Sequence, residues 1–132
     1  MPDESGTLRE PVMLTPTEIY EKVTAHLLTQ RAVSEDQNGS CRLRGAQGRK
    51  CAIGSLVSDE CYKPALEGLG ISYYRNARNG DLLRALHASQ VDAYRADIID
   101  LLIELEEVHD DTPVEDWPRL LAELGRNHAF VQ

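Results

Sequence analysis

Apolar residues recur with helical spacing in four stretches, and a fifth stretch breaks that rhythm. Ile19, Val23 and Leu27, with Tyr20 and Leu28 beside them, make one face of a helix of about 15 residues. Leu14-Thr15-Pro16-Thr17-Glu18 opens it: Thr15 caps, Pro16 suits the first helical position, and Glu18 completes a capping box. The polar run from Ser34 to Ser40 ends that helix. Leu82, Leu83 and Leu86 follow Asn79-Gly80, with Asp81 as the expected cap, and predict a second helix that pauses near Ser89-Gln90. A longer helix is predicted over 91–108. Thr112-Pro113-Val114-Glu115 repeats the first opening device, and the last helix carries Trp117, Leu120, Leu121 and Leu124 on one face.

The stretch without helical rhythm lies between the first two helices. Cys41-Arg42-Leu43-Arg44 and the run 49–57 flank Gly45-Ala46-Gln47-Gly48, which reads as a β-hairpin. Gly54 in the second run marks a bulge or a close backbone approach. The expected fold is α+β, a short antiparallel β-hairpin packed on about four α-helices. A flexible lead-in over 1–13 precedes a single globular domain over 14–132.

The predicted helix 91–108 carries the most informative pattern. At about 100° per residue, Val91, Tyr94, Ile98, Leu101, Leu102, Leu105 and Val108 form one apolar arc. Ile99 and Ile103 fall outside it, near Asp92, Glu106 and Glu107. Either a second neighbour buries them, or they form an apolar spot in an acidic rim, as partner-binding patches do.

Charge sharpens that alternative. The chain has 132 residues and a net charge of −8. Residues 1–50 balance seven bases against seven acids, so residues 51–132 carry the whole excess, and 92–116 hold ten acids against Arg95 alone. Such a surface repels nucleic acid and favours a basic partner. Arg42, Arg44, Arg49 and Lys50 form a contrary basic loop, a candidate anion contact. That loop has neither a phosphate-loop motif nor interleaved aromatics, so nucleic-acid binding is not expected. No apolar run spans a bilayer and no export signal opens the chain, so a cytoplasmic protein is expected, with no membrane partner.

Cys41, Cys51 and Cys61 are odd in number, with nine residues between neighbours, which argues for reduced thiols rather than a disulfide framework. A three-residue hairpin loop would set Cys41 opposite Cys51. The thiols then act as small buried hydrophobes, as zinc ligands, or as a nucleophile activated by Arg49-Lys50 and one of four histidines. Glu106-x-x-His109 is half of a di-iron carboxylate motif, but no second half exists.

The hairpin region resembles small proteins met in phage and prophage genomes and known only as hypothetical. Cys41, Arg42, Arg44-Gly45, Gly48, Lys50-Cys51-Ala52-Ile53-Gly54, Leu56, Asp59-Glu60, Tyr62 and Leu66-Glu67-Gly68 carry the resemblance. Leu14-Thr15-Pro16, Ile19, His109-Asp110 and Asp116-Trp117 are similar too. The resemblance implies a phage-linked viral protein acting in a bacterial host cell, and it implies no activity.

The reading from sequence is therefore a non-enzymatic protein that engages a basic groove on a host protein. Asp92, Ile99, Asp100, Ile103, Glu104, Glu106 and Glu107 are its expected contact residues. The alternatives are a thiol- or metal-dependent module on Cys41, Cys51 and Cys61, and a homodimeric structural protein joined through the last two helices. No cofactor is expected, with zinc as the exception in the second alternative.

Overall fold

The structure, a computed structural model, describes residues 12–77 and 79–131. Four α-helices carry it: α1 (Pro16–Gln30), α2 (Asp81–Ala88), α3 (Ala96–Asp111) and α4 (Trp117–Asn127). Short 3-10 turns fill the long connection between α1 and α2. The expected lead-in falls mostly on residues 1–11, outside the described residues. At its end, Leu14 donates its amide to Gln90 O at 2.8 Å and Gln90 Nε2 donates to Val12 O at 3.1 Å.

The capping box at the start of α1 forms as expected. Thr15 Oγ1 accepts from the Glu18 amide at 3.1 Å, and Glu18 Oε1 accepts from the Thr15 amide at 2.9 Å. The same motif at 112–115 is used differently. Thr112 Oγ1 donates back to Val108 O at 2.6 Å, so it closes α3. A 3-10 turn, Val114–Asp116, then leads into α4. Asp81 is likewise not the cap of α2. Gly80 occupies that position, and Asp81 sits in the first turn and pairs with Arg84.

α3 is the central element. It packs against α1, against α4 and most extensively against the turn Ile71–Arg75. It is buried around most of its circumference, through Ile98, Ile99, Leu101, Leu102, Ile103, Leu105 and Val108. Tyr20 on α1 donates its hydroxyl to Leu121 O on α4 at 2.8 Å, and Trp117 is fully enclosed.

The expected β-hairpin is corrected: the described residues contain no strand. Segment 41–51 makes only isolated bridges, Glu35 with Cys41 and Arg44 with Lys50. Side chains take the backbone groups a ladder would use. Gln30 reads Lys50 like a neighbouring strand, its Oε1 accepting from the Lys50 amide at 2.9 Å and its Nε2 donating to Lys50 O at 2.9 Å. Glu67 accepts from the amides of Leu43 and Arg44 at 2.8 and 3.1 Å. With those donors and acceptors satisfied, an extended ladder gains nothing. The register differs as well. The Cys51 amide donates to Leu43 O at 3.4 Å, so Leu43 rather than Cys41 faces Cys51.

Gly54 is the expected close approach. A Cβ there would collide with the Leu43 carbonyl, which is backbone and cannot swing aside. Gly54→Ala should cost about 2 kcal/mol or more in urea unfolding, against a few tenths for an exposed substitution. An unchanged midpoint would contradict this packing.

Candidate functional site

Two places on α3 gather chemistry, one on its inner side and one on its outer side. The inner place starts from Ser34, a fully buried residue in the loop after α1. Its amide donates to His109 Nε2 at 2.9 Å, and its hydroxyl donates to Arg42 O at 2.7 Å. His109 is itself fully buried and lies near Trp117, ring centroids 5.5 Å apart. An amide N–H can only donate, so Nε2 must present its lone pair and the imidazole proton sits on Nδ1. Nδ1 then donates to Asp110 Oδ1 at 2.6 Å.

Cys41 closes this group. Its Sγ, a ring nitrogen of His109 and a carboxylate oxygen of Asp110 all lie within 4.8 Å of one another. Cys41 is exposed overall, but partial burial of its thiol, hydrogen bonding to Asp110 and the charges of Asp110, Glu106 and Glu35 push it up to about 12. Burial also raises Cys51 well above the ordinary thiol range, with the Glu106 charge as second cause. Both thiols are therefore held protonated, the opposite of what a nucleophile needs. The expectation that Lys50 would activate Cys51 is corrected, because Lys50 lies 3.8 Å from Asp59. His109 has both ring nitrogens engaged and is placed to orient Asp110 rather than to act as a base. Cys61 is not in this group; its amide donates to Ser58 O at 3.0 Å.

Glu106 stands one turn before Asp110 on the same side of α3. Burial first, then the Asp110 charge, pushes its carboxyl up to about 7; His109, the Cys51 thiol and the Ile53 amide pull the other way. Its Oε1 is shut off from solvent and has no hydrogen-bond partner.

The basic loop is largely consumed internally. Arg44 pairs with Asp59 at 2.8 Å, donates to Val57 O at 2.7 Å and lies 4.6 Å from the Tyr62 ring centroid. Arg42 pairs with Glu67 at 3.6 Å. Arg49 gives its carbonyl to Ser34 Oγ at 3.2 Å. Segment 59–67 therefore takes up the charges of Arg42, Arg44 and Lys50, while the Ser34 contact with Arg49 is to backbone and leaves its guanidinium charge in place.

The outer place corrects the expected contact patch. Ile99 and Ile103 are buried, 1% and 7% exposed, beneath the turn Ile71–Arg75, and cannot anchor a partner. Arg75 crosses from that turn to Asp100 at 3.0 Å. Asp92 lies before α3 and accepts from the Tyr94 amide at 3.3 Å. Asp97, Asp100, Glu104, Glu107 and Asp111 do form one exposed stripe along α3. Its C-terminal half borders a groove of about 400 Å³ between α3 and α4. Val108, Leu120 and Leu124 provide the groove's apolar lining; Glu104, Glu107, Asp111 and Glu123 provide its carboxylates. Glu104 is met by His128 Nε2 at 2.5 Å. Sequence reasoning missed the groove because Val108 and Leu124 count as core when each helix is read alone.

Comparison with protein-family models, with curated proteins and with solved structures gives no match. No helix of the described residues is long and apolar enough to cross a membrane.

The raised Glu106 carboxyl makes a stability prediction. Folded protein keeps that proton where the unfolded carboxyl has lost it, so the stabilisation is full below about pH 4.5 and lost as pH rises through about 7. Glu106→Gln keeps the neutral form throughout. In chelator-containing buffer, urea unfolding should show the variant gaining on wild type by on the order of 1–3 kcal/mol between about pH 5 and pH 8. A gap independent of pH would contradict the burial of this carboxyl.

Proposed function

We propose that this chain is a non-enzymatic binding protein whose acidic α3–α4 groove takes a basic segment of a protein partner. One observation supports the reading most directly: carboxylates border an apolar lining where a partner has both charge and area to meet. Glu107, Asp111 and Glu123 are exposed around half-buried Leu120, with Val108 and Leu124 largely buried beneath it. The complementary ligand is an amphipathic segment with aliphatic anchors on one face and Lys or Arg flanking them. Long-range attraction from the net charge of −8 speeds the encounter, and the apolar floor sets the residence time.

The resemblance to phage and prophage proteins makes a host protein the natural source of that segment. Compared with the sequence-based reading, the apolar contact moves from buried Ile99 and Ile103 to Leu120 in the groove. Of the expected contacts, Glu104 and Glu107 remain.

Binding should be tested with proteins retained from bacterial lysate by wild type and by a Glu107→Lys, Glu123→Lys double variant, with Asp92→Lys as control. A partner retained by wild type and control should bind the double variant at least about tenfold more weakly, as loss of complementary charge beside an apolar anchor predicts. It should also elute at high salt. Equal retention by all three proteins would remove the groove from the account.

A further inference from the structure

Glu106 Oε1 is closed from solvent without a hydrogen bond, and neither helix packing nor the α3–α4 groove gives that oxygen a use. A buried carboxyl oxygen left without a partner calls for a physical reason. The cleft it borders supplies one. That cleft, of about 160 Å³, runs between α3 and the turn Ile71–Arg75. Ile71 and Ile103 give it apolar walls, and Glu106, Glu107, Asp110 and Asp111 give it four carboxyl groups. None of its lining residues is a base, and Arg75 on the same turn pairs with Asp100, which does not line it. Four carboxyl groups around so small a space are stabilised by a cation.

Their spacing selects the kind of cation. Among the described residues, no three of these four bring ligand oxygens within 4.8 Å of one another. A metal ion or an ammonium group gathers its oxygens around one point. A guanidinium is planar, carries five N–H donors in a fixed fork and reaches separate acceptors at once. It is also more weakly hydrated than an ammonium, which suits the aliphatic walls Ile71 and Ile103.

We propose that this cleft takes the guanidinium of an arginine side chain, with Glu106, Glu107, Asp110 and Asp111 as its acceptors. The proposal rests on the reading of the chain as a binder of a basic protein segment, and it names the residue that segment must present. Glu107 and Asp111 line the α3–α4 groove as well as the cleft, so the two places are neighbours across one rim of α3. The last torsion of a glutamate is soft, so the Glu106 carboxyl turns its unpaired oxygen to the cleft at little cost. Asp110 keeps Oδ1 on His109 and offers its other oxygen. Leu69 and Tyr73 are exposed on either side of Gly70-Ile71-Ser72, the outer wall, and give the neighbours of the arginine apolar surface to cover.

The test titrates two small probes, N-acetyl-arginine amide and N-acetyl-lysine amide, into the full chain carrying labelled isoleucine and leucine methyl groups. The buffer is held at about pH 8, above the value of about 7 to which burial pushes Glu106. Methyl signals of Ile71 and Ile103 report on the cleft, and those of Leu120 on the groove. The arginine probe should shift the Ile71 and Ile103 signals saturably, and the lysine probe should bind at least about fivefold more weakly. Glu106→Gln and Asp110→Asn each exchange an acceptor-only carboxylate for an amide with donors, and each should weaken the arginine probe at least about fivefold. Glu106→Gln is expected to be the more stable protein near neutral pH, so weakened binding there cannot be laid to unfolding. Glu123→Lys, which alters the groove and not the cleft, should leave the arginine titration unchanged while weakening retention of the lysate partner. No saturable shift at Ile71 and Ile103, equal binding of the two probes, or undiminished binding in both carboxylate variants would each overturn the cleft. Undiminished retention of the lysate partner by Glu123→Lys, with the arginine titration intact, would support the cleft and count against the groove alone.

Discussion

The hydrogen bond from the Ser34 amide to His109 Nε2 ties the irregular half of the molecule to its central helix. Both residues are completely buried, so neither group has water as an alternative partner. Leaving a buried amide unpaired costs about 1–3 kcal/mol, and here that amide belongs to the loop that also positions Arg42 through Ser34 Oγ and O. The direction of this one bond sets the rest of the chain of contacts. Because the amide donates, His109 must carry its proton on Nδ1. That proton holds Asp110, whose carboxylate lies within 4.8 Å of the Cys41 sulfur. A histidine that looks like a ligand or a base in the sequence thus becomes a strut.

The helices were legible because their signals are local. Thr15, Pro16 and Glu18 cap one another across three residues, and the apolar spacing of Ile19, Val23 and Leu27 records the face they bury. The segment 41–51 was misread because its partners are distant and are side chains. Gln30 and Glu67 satisfy backbone groups that a sequence pattern assigns to a second strand. Thr112 shows a related ambiguity: the motif that opens α1 here closes α3, because its hydroxyl meets the Val108 carbonyl first. Gly54 was readable as a close approach, although only the fold shows that the Leu43 carbonyl is what comes near.

Ile99 and Ile103 show the limit of a helical wheel. The wheel places them outside the apolar arc, and the turn Ile71–Arg75 packed across α3 supplies the second neighbour that buries them. The acidic run conceals a similar division. Glu106-Glu107 and Asp110-Asp111 read as one solvated patch, yet adjacent residues on a helix point about 100° apart. Glu106 and Asp110 lie on the side of the cysteines, while Glu107 and Asp111 reach the α3–α4 groove, and all four border the cleft beside the turn Ile71–Arg75. One helix therefore supplies carboxylates to two places: a partly buried one beside Cys41, Cys51 and His109, and an open one, where charge can attract a partner.

The hydrogen position on His109 is the most direct test, because the anchoring of the loop after α1 and the hold on Asp110 both depend on it. Long-range proton–nitrogen correlation spectra of the imidazole at neutral pH separate the two tautomers. The account predicts the Nδ1–H form, with an unprotonated Nε2 accepting the Ser34 amide. An Nε2–H imidazole would contradict it, because that nitrogen could not accept the Ser34 amide and Nδ1 could not donate to Asp110.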